Sequence, residues 1–239
     1  MSLTKKELNK RLATIQKVKE FIESQDIEDM EIVSYGAEKI YEMTTSKESQ
    51  PFYAFLGTFL SPQTKDKQTY LAVKSLHDTL GTLTPQKIID SSLETIDECI
   101  KGVGFHKTKA KRLKECCQVM INDHEGKVPE TFDELVELPG IGPKIASLIL
   151  SIAFNKITSI AVDTHVFTIS QRLGFAEGNT PEKVRKDLES WLPKTEWHEF
   201  NYNMVAFGQC CCRKNYPKCK DCPIPDACSY GNTETKKKK

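Results

Sequence analysis

Apolar residues recur every three or four positions along nearly the whole chain, and no stretch shows convincing two-residue alternation. That spacing puts apolar side chains on one face of a helix and leaves little from which to build a sheet. Over 64–80, Tyr70, Val73, Leu76, His77 and Leu80 share such a face. Over 107–124, Ala110, Leu113, Cys117, Met120 and Ile121 repeat it, with Gly126 as the stop. Helix starts are legible too. Thr84-Pro85 and Thr180-Pro181 pair an N-cap with a proline in the first turn, and Thr131 with Glu134 reads as a capping box. Pro143 opens a helix that is apolar nearly all round to Phe154 and so should be buried. Trp197, Phe200, Met204 and Phe207 mark the last long helix. Ile157–Val162 offers a strand, but an isolated strand has nothing to pair with. The expected fold class is all-α.

A length of 239 residues admits one large domain or two small ones. Hydrophobic residues make up 38% and charged residues 28%, a globular composition. The longest apolar uncharged run, Ile145–Phe154, is half the roughly 20 residues of a membrane span, so no membrane partner is expected. The opening MSLTKKELNK lacks the apolar core of a secretory signal, and Glu7 and Glu20 argue against a transit peptide. The chain is therefore expected inside the cell, where thiols stay reduced. Its nine cysteines then need another explanation. The net charge of +1 says little about partners, but from Cys210 to Lys239 eight basic residues face three acidic ones, giving +5. Lys107, Lys109, Lys111 and Arg112 form a second basic stretch. A solvated helix face and a disordered tail at Thr233–Lys239 are the plain reading, and a nucleic-acid footprint is the sharper one.

Three constellations carry chemistry. Cys212, Cys219, Cys222 and Cys228 follow one another at spacings of x6, x2 and x5. Four soft thiolates so close suit zinc or an iron–sulfur cluster. Zinc sites usually show two short-spaced pairs, and here there is one, so a compact loop wrapping a cubane is the better fit. The triplet Cys210-Cys211-Cys212 leaves room for a neighbour to substitute. Cys99, Cys116 and Cys117 lie in helical patterns and read as core thiols. Second, Leu138-Pro139-Gly140-Ile141-Gly142 joins two helices. Its glycines permit positive φ, and the N–H groups there suit a phosphate, although an ordinary helix–helix turn would look the same. Third, Lys144 sits in the first turn of the following helix, where partial positive charge and burial would favour the neutral amine of a nucleophile. A surface lysine is the alternative. Asp163, in VDTHV, is a good N-cap and could also face a developing cation.

With LPGIGPK (138–144), VDTHV (162–166) and the cysteine loop in this order, the chain resembles the endonuclease III DNA glycosylases, most closely the eukaryotic endonuclease III-like proteins. The resemblance runs from about Pro51 to Tyr230 and extends to LSPQTKD (60–66), IKGVGF (100–105) and WLPKTEWHEFNYNMVAFGQ (191–209). It implies two helical domains flanking a DNA groove: a six-helix barrel with a helix-hairpin-helix over 44–156, and a discontinuous cluster domain from 1–43 and 157–239. It implies a monomeric DNA glycosylase with AP lyase activity, acting in base excision repair on duplex DNA with oxidised pyrimidines or abasic sites. Lys144 would be the nucleophile and Asp163 its partner, with a [4Fe–4S] cluster on Cys212, Cys219, Cys222 and Cys228. DNA contacts would come from Leu138, Gly140, Ile141 and Gly142 of the hairpin and from Arg213, Lys214, Lys218 and Lys220 of the cluster loop. Gln63 would fill the space a flipped base vacates and Phe105 would wedge the stack, although a loop polar residue and a core aromatic are the plain alternatives.

Two departures stand out: Pro62 where relatives carry a small residue, and Thr168 where many carry arginine. An adenine glycosylase would lack Lys144, and an 8-oxoguanine glycosylase would normally lack the cysteine loop. A non-catalytic damage-binding protein and a ferredoxin-like carrier are the readings from other classes. The lysine run at the end hints at the nucleus, with the mitochondrion as a second location.

Overall fold

The computed structural model describes residues 3–25 and 34–231, the His198 side chain excepted. The basic run Lys236–Lys239 lies outside the described residues. Among the described residues there is no strand, and Ile157–Val162 is irregular. Contacts divide the chain into two compact units, one from the described residues of Met1–Met30 with Ser159–Lys239, the other from those of Glu31–Thr158.

The second unit holds α2 (Ala37–Tyr41), α3 (Gln50–Leu60), α4 (Asp66–Leu80), α5 (Pro85–Asp90), α6 (Leu93–Cys99), α7 (His106–Asp123), α8 (Phe132–Glu137) and α9 (Pro143–Phe154). Helix α3 is its axle: every residue from Phe52 to Leu60 is buried. Such a helix cannot be amphipathic, and α9, α2 and α4 pack around it. The Tyr53 hydroxyl, carried into this core, meets His77 Nδ1 at 2.5 Å and accepts the Leu83 N–H at 3.0 Å, which satisfies a group otherwise costly to bury. Helix α7 buries Ala110, Leu113, Cys117 and Met120 as its spacing predicts, and the Gly126 N–H closes its end on the Met120 carbonyl at 2.8 Å. Burial pushes the Cys116 thiol up to about 12 and Cys117 further, so these are inert core thiols. Cys99 differs from the expectation: its side chain stays partly exposed beside Thr79.

The first unit holds α1 (Lys5–Glu23), α10 (Thr164–Arg172), α11 (Pro181–Glu189) and α12 (Trp197–Cys210). Helices α1 and α10 both pack on α12, whose Phe200, Met204 and Phe207 are buried. The Arg11 guanidinium lies 4.8 Å from the Trp191 ring and donates to the carbonyls of Gly174 and Phe175, fixing α1 to the segment that follows α10.

Candidate active site

Between α8 and α9 the Ile141 N–H donates to the Leu138 carbonyl at 3.0 Å, closing a tight turn. Gly140 takes a φ of +84°, where an L side chain would be strained. Gly142 does not share that conformation: it is extended at φ −98° as the N-cap of α9, so only one of the two glycines uses the left-handed region. The Leu138 and Ile141 side chains are buried, so the turn offers a ligand its backbone. No side chain caps α9, which leaves the first-turn N–H groups to an outside acceptor. Arg112 of α7 lies against the turn, its Cδ 3.1 Å from where a Gly140 Cβ would stand. An anion-binding turn flanked by a guanidinium suits a phosphate.

Lys144 stands exposed on the first turn of α9. Burial along that helix begins only at Ala146, so the burial expected for this lysine is replaced by open access. The partial positive charge of the helix start remains.

Gln63 and Phe105 are brought together. Pro62 and Gln63 form the middle of a turn closed by the Thr64 N–H on the Ser61 carbonyl at 3.0 Å. Gln63 has a φ of +56° and Phe105 a φ of +59°, which costs a non-glycine residue roughly 1–2 kcal/mol each. Gly104 lies so close to the Gln63 turn that a Cβ would come within 2.5 Å of the Gln63 carbonyl oxygen. The Gly104 N–H donates to Thr64 Oγ1 at 3.1 Å, stitching the two turns together. Phe105 is 65% exposed, which removes the core-aromatic alternative, and Gln63 is exposed beside it. Lys109, counted above in a solvated basic stretch, instead turns its amine inward onto the Leu60 and Pro62 carbonyls, both at 2.7 Å. Lys107, Lys111 and Arg112 are exposed as expected.

Asp163 belongs to the other unit, where it caps α10: its Oδ1 accepts the Val166 N–H at 2.8 Å. The cap uses Oδ1 and leaves Oδ2 outside it. The extended segment before it is held by two side chains that sequence reasoning did not single out. Asn201 donates to the Ala161 carbonyl at 2.5 Å, and Glu189 accepts the Ile160 N–H at 2.9 Å.

In the cysteine loop, Arg213, Lys214, Lys218 and Lys220 are exposed, and Tyr216 between them is 85% exposed, an aromatic that the charge count passed over. Cys211 shares a hydrogen bond with Cys222 that draws the Cys222 thiol down to about 7 and pushes Cys211 up. Arg172 organises the loop. Its Nη1 donates to Cys212 Sγ at 3.3 Å and the Arg213 carbonyl at 3.0 Å, and its Nη2 to the Lys214 carbonyl at 2.7 Å. Arg172 lies one helical turn after Thr168, at the C-terminal end of α10. The Gly231 N–H points at Cys228 Sγ at 3.4 Å. Among the described residues no three His, Cys, Asp or Glu side chains converge closely enough to hold a metal ion. The fit to a cluster therefore rests on donor chemistry: four thiols in one loop, with N–H donors on the sulfurs of the first and last. Among the described residues no helix is long and apolar enough to cross a membrane.

A family model described as "HhH-GPD superfamily base excision DNA repair protein" matches residues 56–194, more than half of the chain. Endonuclease III homolog 2, chloroplastic, of Arabidopsis thaliana is 41% identical over 191 residues, covering 77% of this chain and 49% of the relative. The chain thus spans about half the length of that relative. A solved non-covalent endonuclease III–DNA complex superposes with a TM-score of 0.79 at 30% identity, covering 98% of this chain and all of the other. A trapped endonuclease III–DNA covalent intermediate gives 0.73 at 31% identity, covering 85% and 97%.

Proposed function

The chain belongs to the endonuclease III family, within the HhH-GPD superfamily of base excision DNA repair proteins, and on that premise we propose that it is a bifunctional DNA glycosylase and AP lyase for oxidised pyrimidines in duplex DNA. The observation that carries this reading is Lys144, a primary amine exposed on the first turn of a helix directly after an anion-binding turn. The turn holds a backbone phosphate and so delivers the neighbouring sugar to the amine. Proximity of this kind is worth several kcal/mol of barrier.

A stacked base hides its sugar carbon, so the damaged nucleotide must first leave the helix. Lys144 Nζ then forms a bond to C1′ as the glycosidic bond breaks, and the base departs with the bonding pair. Positive charge that develops on the sugar is opposed by the Asp163 carboxylate. The sugar ring opens to an imine, which acidifies C2′. Loss of a C2′ proton expels the 3′ phosphate, and water releases the lysine. In this reading Gln63 and Phe105 occupy the stack, while Arg213, Lys214, Lys218 and Lys220 meet phosphates. A duplex with one thymine glycol is expected to release the base and be cut 3′ to the lesion. Base release with an intact strand would contradict the lyase half.

Cys212, Cys219, Cys222 and Cys228 would hold a [4Fe–4S] cluster, which when bound supplies a rigid, redox-capable core to the loop. Arg172 keeps its charge-assisted N–H on Cys212, and Arg172 with Cys211 fixes the loop backbone. Protein purified without oxygen is expected to be brown, with about four iron and four sulfide per chain. A colourless protein with stoichiometric zinc would contradict this assignment. A repair enzyme of this kind belongs in the nucleus, in keeping with Lys236–Lys239.

A further inference from the structure

Lys109 is a partly buried charged group that the chemistry above does not use. An ammonium has three N–H donors and no acceptor. Here the Leu60 and Pro62 carbonyls lie at 2.7 Å and Thr64 Oγ1 at 3.4 Å, so three acceptors meet three donors. A phosphate would find no donor left. The acceptors enclose the strained Gln63 turn: Leu60 ends α3 just before it, and Pro62 and Thr64 stand on either side of Gln63. A cation at a helix C-terminus is also well placed against the orphan carbonyls there. The lysine itself rides on α7, one turn after Phe105, whose carbonyl accepts the Lys109 N–H at 3.0 Å. Thr64 Oγ1 completes the circuit by accepting from Gly104.

We propose that Lys109 is a positioning residue: it clamps the Gln63 turn to the Phe105 turn, so that both side chains enter a duplex as one preset wedge. The proposal rests on the insertion reading of Gln63 and Phe105. Strained backbone persists only where its surroundings hold it, and both left-handed residues adjoin atoms that Lys109 or Thr64 holds. Burial pulls the Lys109 amine down to about 8, which still leaves it mostly protonated and able to fill all three acceptors near neutral pH.

The test uses a duplex with a tetrahydrofuran abasic analogue and 2-aminopurine opposite it, whose fluorescence reports insertion. Lys109→Met is expected to bind about tenfold more weakly, the loss of a charged hydrogen-bond set, and to blunt the fluorescence change. Its salt slope should match wild type, and its borohydride trapping on single-stranded abasic DNA, which needs no insertion, should be unchanged. Lys109→Arg should not rescue, because a planar guanidinium cannot put one nitrogen among these acceptors. Wild-type affinity and fluorescence in Lys109→Met would overturn the clamp. So would a salt slope smaller by about 0.9, which would make Lys109 a phosphate contact. Phe105→Ala reads the premise separately: fluorescence equal to wild type there would overturn insertion itself and the clamp's purpose with it. Should Lys109→Met fail to fold, Thr64→Val removes the shared hydroxyl, and unchanged fluorescence in it would overturn the proposal.

Discussion

Replacing Lys144 with glutamine is expected to lower strand cleavage at thymine glycol by at least about 10³-fold, the scale of losing a catalytic nucleophile, with the melting temperature unchanged. Glutamine keeps a polar side chain, one atom shorter, but its amide nitrogen has no lone pair able to attack C1′. The fold should not notice, because Lys144 is exposed and the packing of α9 begins at Ala146. Duplex affinity should hold as well, since the turn proposed to hold the phosphate is made by backbone around Gly140 and by Arg112. Cleavage assays under single-turnover conditions, with binding measured in parallel, check this. Retained cleavage would move the nucleophile elsewhere.

The second large effect concerns Asp163, whose observed cap and proposed catalytic charge can be separated. Asparagine caps a helix about as well as aspartate. Asp163→Asn should therefore keep the bond to the Val166 N–H and the stability of α10 while removing the charge. Base excision is expected to fall by about 10²–10³-fold, the typical loss when a group opposing developing charge is neutralised. Asp163→Ala loses the cap too, so it should show the same kinetic defect with stability lower by roughly 1 kcal/mol. An Asp163→Asn enzyme at wild-type rate would leave capping as the residue's whole role.

The helices were legible because their signals are local. Thr84 and Thr180 accept the N–H groups of Lys87 and Lys183, each with proline in the first turn, as their dipeptides predict. The reciprocal capping box appears elsewhere than expected. Thr131 accepts the Glu134 N–H, but its hydroxyl meets the Glu134 carboxylate at 2.5 Å, whereas Thr4 and Glu7 close the complete box at the start of α1. Fold class and family followed from periodicity and from ordered motifs. What stayed illegible depends on distant partners. Nothing near Lys109 in the chain distinguishes it from Lys107 or Lys111; its acceptors lie 45 to 49 residues away. Arg172 is likewise an unremarked helix residue until the chain returns Cys212, 40 residues on, to its guanidinium. Phe105 could be core or surface by composition, and only the approach of Gly104 to the Gln63 carbonyl shows why it is held outward.

The most direct test of the catalytic account is borohydride reduction during turnover on a duplex with one thymine glycol, followed by peptide mass mapping. Borohydride converts an imine into a stable secondary amine. The expected result is a covalent protein–DNA adduct on the peptide containing Lys144, and none with Lys144→Gln. An adduct on another residue, or an undiminished adduct with Lys144→Gln, would contradict it.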